Sequence, residues 1–138
     1  KLLDEKFVNL KWISPKYSNN PNEEINLLNQ VLTSLKKEKR NKMIMSQYQF
    51  FSFLLEENLN IPNRWYTNDN NSYPKKDHKY FKFYKKHFSK NIYENKIEII
   101  YTIGSPEFEN FITYLDNVCY DKTKFNKITN IYILKDCV

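Results

Sequence analysis

The chain has 138 residues, 41% of them hydrophobic and 17% aromatic, enough to bury one ring-rich core, which excludes an intrinsically disordered segment. Net charge is +6 and the pI about 9.2, but lysine carries it: Arg40 and Arg64 are the only arginines, alanine is absent, and the heavy use of Lys, Asn, Ile, Tyr and Phe reads as an A/T-rich genome. Base and phosphate readers lean on the bidentate guanidinium, so sequence-specific nucleic-acid binding is disfavoured, and no run of about 18 apolar residues exists to span a bilayer.

The chain opens at Lys1 with no initiator Met or signal-peptide h-region and already shows an apolar pattern at Leu2, Leu3, Phe7, Val8 and Leu10, which predicts a single domain over 1–138 excised from a longer protein. Asn20-Pro21-Asn22-Glu23-Glu24 then announces a helix, with a capping Asn, Pro in the first turn and two acids at the positive helix end. Ile25, Leu28, Val31, Leu32 and Leu35 recur at helical spacing, and the basic run Lys36 to Asn41 closes it. Met43-Ile44-Met45 reads as a short buried strand. Ser46 follows as the cap of a second helix carrying Phe50, Phe51, Leu54 and Leu55 up to Asn58.

Residues 62–77 are rich in Pro, Asn, Asp and Tyr without periodicity, and a loop of that length in a small domain usually binds something or moves. A helix over 79–91 places Lys79, Lys82, Lys85, Lys86 and Lys90 on one face and Tyr80, Phe81, Tyr84, Phe88 and Ile92 on the other. Ile97–Ile103 reads as a buried strand, Gly104-Ser105-Pro106-Glu107 as turn, cap and helix start, Phe108, Phe111, Ile112 and Leu115 as the helix, and Ile128–Leu134 as a last strand. Strands alternating with helices predict an α/β fold, a small Rossmann-like sandwich with a mainly parallel sheet of three or four strands flanked by helices.

In such a fold ligands sit beyond the carboxyl ends of the strands, here Gln47 and Tyr48 on one side and Ser105 and Glu107 on the other. Pro106 removes one backbone donor from that turn, so a plain helix cap competes with an anion site. Gly104 is the only glycine, which leaves no glycine-rich phosphate loop and no expected cofactor. Ser34-Leu35-Lys36-Lys37 and Ser72-Tyr73-Pro74-Lys75 match Ser-x-x-Lys by spacing alone. His78 and His87 have no partner placed by a motif, so no catalytic residue is assigned. Asn68-Asp69-Asn70 lacks the later Gly and Glu of a calcium loop, and two cysteines are too few for zinc, so no metal is expected. Cys119 and Cys137 would pair in an oxidising compartment and stay free thiols in a cytosol. Arg64 beside Trp65 and Tyr66, followed by Asp69 and Tyr73, is a mix that stacks on sugars, bases or partner side chains, or else anchors the loop to its own domain.

Leu10-Lys11-Trp12-Ile13, Gln47-Tyr48-Gln49-Phe50-Phe51, Pro62-Asn63-Arg64-Trp65-Tyr66, Ser72-Tyr73-Pro74 and Lys79-Tyr80-Phe81 together resemble the soluble C-terminal region of polytopic bacterial membrane proteins of the glycosyltransferase type, which use lipid-linked sugar donors. The resemblance implies a non-catalytic accessory domain on the extracytoplasmic, periplasmic face of the inner membrane. Its partners would be the membrane-embedded rest of the parent chain, with a lipid-linked sugar or the membrane surface, and Cys119 and Cys137 would then be bonded. It also implies that the catalytic carboxylates lie between early membrane spans, so none transfers to this chain. Two other readings stand beside it: a cytoplasmic nucleic-acid or protein-binding module with free thiols, and part of an enzyme site completed by another domain at Gln47, Tyr48, Ser105 and Glu107.

Overall fold

The computed structural model describes residues 3–63, 72–104 and 106–137, apart from the side chains of 106–108, and the chain divides into two compact units. The first comprises the residues up to Lys39 together with Phe50–Glu57. A 3₁₀ turn at Glu5–Phe7 is capped by Asp4, whose Oδ1 accepts from the Lys6 amide at 3.0 Å. Helix α1, Pro21–Lys37, starts at the predicted Asn-Pro signal and buries Ile25, Leu28, Val31, Leu32 and Leu35, the stripe expected of its 3.6-residue period. Its buried Glu24 is reached by the Trp12 indole N–H at 2.9 Å, as a carboxylate withdrawn from water requires. Helix α2 is only Phe51–Leu55, because Glu56 turns left-handed at φ 56° and ends it. The predicted helix over 46–58 is therefore cut to one turn and a half, and Ser46 does not cap it.

The second unit is built on a four-stranded sheet of order β1-β2-β4-β3, with β1 at Lys42–Ser46, β2 at Ile99–Ile103, β3 at Val118–Asn126 and β4 at Thr129–Asp136. Only β1 and β2 run parallel, with Ile44 opposite Tyr101. β4 is antiparallel to both β2 and β3. The expected mainly parallel, Rossmann-like sheet is thus wrong: the fold is α/β with a mixed, mostly antiparallel sheet. The cause is β3, which the sequence pattern hides, since its exposed Asp121, Lys122, Thr123 and Lys124 show no apolar alternation. Once β3 turns back at Asn126-Lys127-Ile128 into β4, the last strand arrives as half of a hairpin and not through a helical crossover.

One sheet face presents Met43, Met45, Ile100 and Tyr132 to helix α3, Phe81–Glu94, and to a 3₁₀ segment, Pro106–Tyr114. Phe88, Ile97, Phe111, Tyr114 and Tyr73 complete that core. Phe111 meets Tyr132 edge-on at 4.9 Å and lies stacked with Phe88 at 6.1 Å. The segment after Gly104 is 3₁₀ and not the α-helix expected, and its buried Phe111 and Tyr114 recur at the three-residue spacing that such a turn aligns. On the opposite face Ile44, Ile99, Tyr101 and Ile103 are also buried. Helix α3 ends in a Schellman motif: the Ile97 amide donates to the Ile92 carbonyl and the Lys96 amide to that of Tyr93. Lys96 takes the left-handed conformation, φ 48°, usually given to glycine.

Candidate recognition surface

Two features of the second unit bear on recognition. The first is the frame of the 62–77 loop. Asn63 and Ser72 flank its central stretch, and the Asn63 Nδ2 donates to the Ser72 carbonyl at 2.9 Å, tying the two ends together. The same amide's Oδ1 accepts a short hydrogen bond from the Tyr84 hydroxyl, which fixes the loop base to α3. Burial, followed by the neighbouring Tyr73 and Tyr114, raises the Tyr84 pKa far above the usual phenol range, so this hydroxyl stays a donor. Tyr73 itself is buried, edge-on to Tyr84 at 5.6 Å, and Pro74 gives its carbonyl to the Tyr114 hydroxyl at 2.7 Å. Tyr73 therefore anchors the returning strand of the loop from within the core. Arg64, Trp65, Tyr66 and Asp69 lie outside the described residues.

The second feature is the outer face of α3. Lys82, Lys86 and Lys90 are exposed, with Lys79 in the turn before the helix, as the spacing predicts. Lys85 departs from that set, being half-buried and paired at 2.6 Å with Asp116. The aromatic assignments change more. Phe81, Tyr84, Phe88 and Ile92 turn to the core, whereas Tyr80 points outward with its ring under the Lys79 ammonium. Phe83 and Tyr93, which the helical pattern had not singled out, are 75% and 83% exposed. On a helical projection Tyr93 falls inside the lysine stripe and Phe83 just past its edge beside Lys90, positions computable from their spacing to Lys82, Lys86 and Lys90.

Of the strand-end constellation, Gln47 and Tyr48 are described. Because β1 and β2 are parallel, Ser46 and Ile103 end side by side. The half-buried Tyr48 ring lies so close to Gly104, φ 98°, that a Cβ there would sit 2.9 Å from Tyr48 Cε2. The Ser46 hydroxyl accepts from the Tyr48 amide at 2.9 Å, Gln49 Nε2 donates to the Ser46 carbonyl, and Gln47 is exposed. Ser105 and the Glu107 side chain are outside the described residues. Of the histidines, His87 is exposed, and His78 accepts the Tyr80 amide through Nδ1 at 3.3 Å.

A polar cluster that sequence reading missed joins the 3₁₀ segment to the hairpin. Glu109 Oε1 accepts from Lys122 Nζ at 2.5 Å, from the Tyr132 hydroxyl at 3.0 Å and from Asn130 Nδ2 at 3.4 Å. The Lys122 ammonium holds the Glu109 carboxyl below the usual range against the opposing effect of burial, while burial and the Glu109 carboxylate push the Tyr132 phenol up. Its contacts come from two neighbouring elements, so the cluster works as a partly exposed latch between segments. Cys119, in the ladder opposite Lys135, and Cys137, one residue past the end of β4, form a disulfide with Cα atoms 5.0 Å apart at the open end of the hairpin. Disulfides form and persist in oxidising compartments, so the bond points to an extracytoplasmic setting. Among the described residues no group of three or more potential metal ligands occurs, and no helix is long and apolar enough to cross a membrane. No protein-family model, no curated protein and no solved structure matches the chain.

Proposed function

We propose that this chain is a non-catalytic recognition domain of a membrane glycosyltransferase-like protein, carried on the extracytoplasmic side of a bacterial inner membrane. The observation that carries the compartment is the Cys119–Cys137 disulfide, which a reducing cytosol would not maintain. The recognition role is supported by the way Asn63, Ser72, Tyr73 and Tyr84 lock the base of the 62–77 loop to α3. A binding loop gains affinity when its ends are fixed before a ligand arrives, because less ordering remains to be done on binding.

Maleimide labelling of the full-length protein in intact cells tests the compartment. Neither cysteine should react until a reductant is added, and two thiols reactive from the outset would place the domain in the cytoplasm. For the loop, Arg64→Ala and Trp65→Ala should lower glycosyl transfer by the parent protein while leaving the thermal midpoint of the domain in place. Unchanged transfer in both variants would remove the loop from recognition.

A further inference from the structure

The outer face of α3 combines two properties that one ligand class satisfies together. Its charge is dense and of one sign: Lys79, Lys82, Lys86 and Lys90 line a helix about 21 Å long, and Lys75 and Lys76 extend the row into the preceding turn. The acids nearby are Asp77, Glu94, in an exposed pair with Lys90 at 3.6 Å, and Asp116, which pairs with Lys85 at the side of the helix. Three large exposed rings accompany the row: Tyr93 within it, Phe83 at its edge and Tyr80 in the turn before the helix. Phe83 has no polar atom, so its 75% exposed ring offers apolar surface beside the lysines that would gain from leaving water.

We infer that the α3 outer face docks on an anionic lipid surface, the lysines lying among the headgroups while Phe83, flanked by Tyr80 and Tyr93, enters the boundary of the acyl region. Lysine stems lie along apolar surface while their ammonium groups stay at the headgroup level, and tyrosine prefers the same interface. The apolar stripe of α3, Phe81, Tyr84, Phe88 and Ile92, is already consumed by the core. Docking is therefore shallow and reversible, driven by charge with a few inserted rings, unlike an amphipathic helix that gives its whole apolar face to the bilayer. A nucleic acid fits less well, because the face carries no arginine and an exposed Phe without hydrogen-bonding capacity gains little from a phosphate backbone. The inference deepens the membrane-side placement proposed above and rests on it for which leaflet is met.

The test is co-sedimentation of the disulfide-bonded domain with vesicles of phosphatidylcholine containing 30% phosphatidylglycerol or none, at low and physiological salt. Binding is expected only to the anionic vesicles. It should fall roughly 30-fold in Lys82→Gln/Lys86→Gln, about fivefold for each charge removed, and should also weaken in Phe83→Ser. All three positions are exposed, and circular dichroism confirms that the variants are folded. Absence of binding to anionic vesicles overturns the inference. Binding that ignores Phe83→Ser, and that a single-stranded oligonucleotide competes away at equal charge, also overturns it and assigns the face to a polyanion. Vesicle binding together with free thiols in cells would refute the extracytoplasmic placement while leaving the lipid-docking face standing.

Discussion

Replacing both cysteines, Cys119→Ser/Cys137→Ser, isolates the contribution of the disulfide, and its size follows from where the bond lies. The two cysteines are 18 residues apart in sequence, and closing a loop of that length in the unfolded chain removes configurational entropy equivalent to about 3 kcal/mol at 25 °C. Little else is lost on substitution. Cys119 is half-buried and Cys137 exposed, and the ladder that pairs Val118 with Asp136 and Cys119 with Lys135 holds the start of β3 against the end of β4 without the bond. Stability is therefore lost mainly through the unfolded chain, while native spectra stay unchanged. With a urea slope of roughly 1.5 kcal/mol per molar, the midpoint should fall by about 2 M, and the thermal midpoint should drop by roughly 10 °C. The slope itself should rise, since an unfolded chain without the cross-link exposes more surface. Midpoints of oxidised wild type and the double serine variant agreeing within about 0.3 M would refute the entropic account.

Three further outcomes are expected. Gly104→Ala forces a side chain into a backbone at φ 98° and against the Tyr48 ring, and should cost about 2 kcal/mol in urea denaturation; a change under about 0.5 kcal/mol would show that the turn relaxes freely. Lys96→Gly relieves a left-handed lysine at the Schellman end of α3, and a rise in stability of about 0.5–1 kcal/mol should appear in the same assay; a loss would mean that the Lys96 side chain outweighs its backbone strain. Glu109 has its folded-state pKa lowered, so its contribution is present above the ordinary glutamate range and disappears as pH falls through the folded value. Because the carboxylate is more than a third exposed, that contribution is under about 1 kcal/mol after screening. Glu109→Gln should flatten the acid limb of a stability–pH profile and leave the alkaline limb alone, and a profile parallel to wild type would separate Glu109 from acid stability.

Helix α1 was legible in the sequence because four signals agree there: Asn20, Pro21, the acids Glu23 and Glu24, and an uninterrupted apolar stripe. Strands β1, β2 and β4 were legible as apolar runs, but β3 was not, since an edge strand that keeps few side chains in the core has no need of alternating hydrophobicity. Missing that one element reversed the inferred direction of β4 and with it the sheet class. The loop base was half visible. Residues 62–77 stood out by composition, yet the pairing of Asn63 with Ser72 and Tyr84 depends on a hydroxyl 21 positions away that no local pattern ties to it. On α3 the lysines were found by charge, whereas Phe83, which belongs to neither the lysine set nor the apolar stripe, has no assignment from the pattern although it is 75% exposed.

The outer strands of the sheet meet solvent on different terms, with a consequence for how copies of this chain treat one another. Along β1 the free rim is occupied from within: the Ile44 amide donates to the Leu59 carbonyl, and Asn60 Nδ2 donates to the Lys42 carbonyl. Along β3 the rim is open but bears Asp121, Lys122 and Lys124, and its register slips between Lys124 and Asn126. Charge and an irregular twist are what discourage a second strand from adding to such an edge. The hairpin can thus stand largely in water without serving as a template for stacking, and a sheet this rich in isoleucine and tyrosine ends where its own chain ends it.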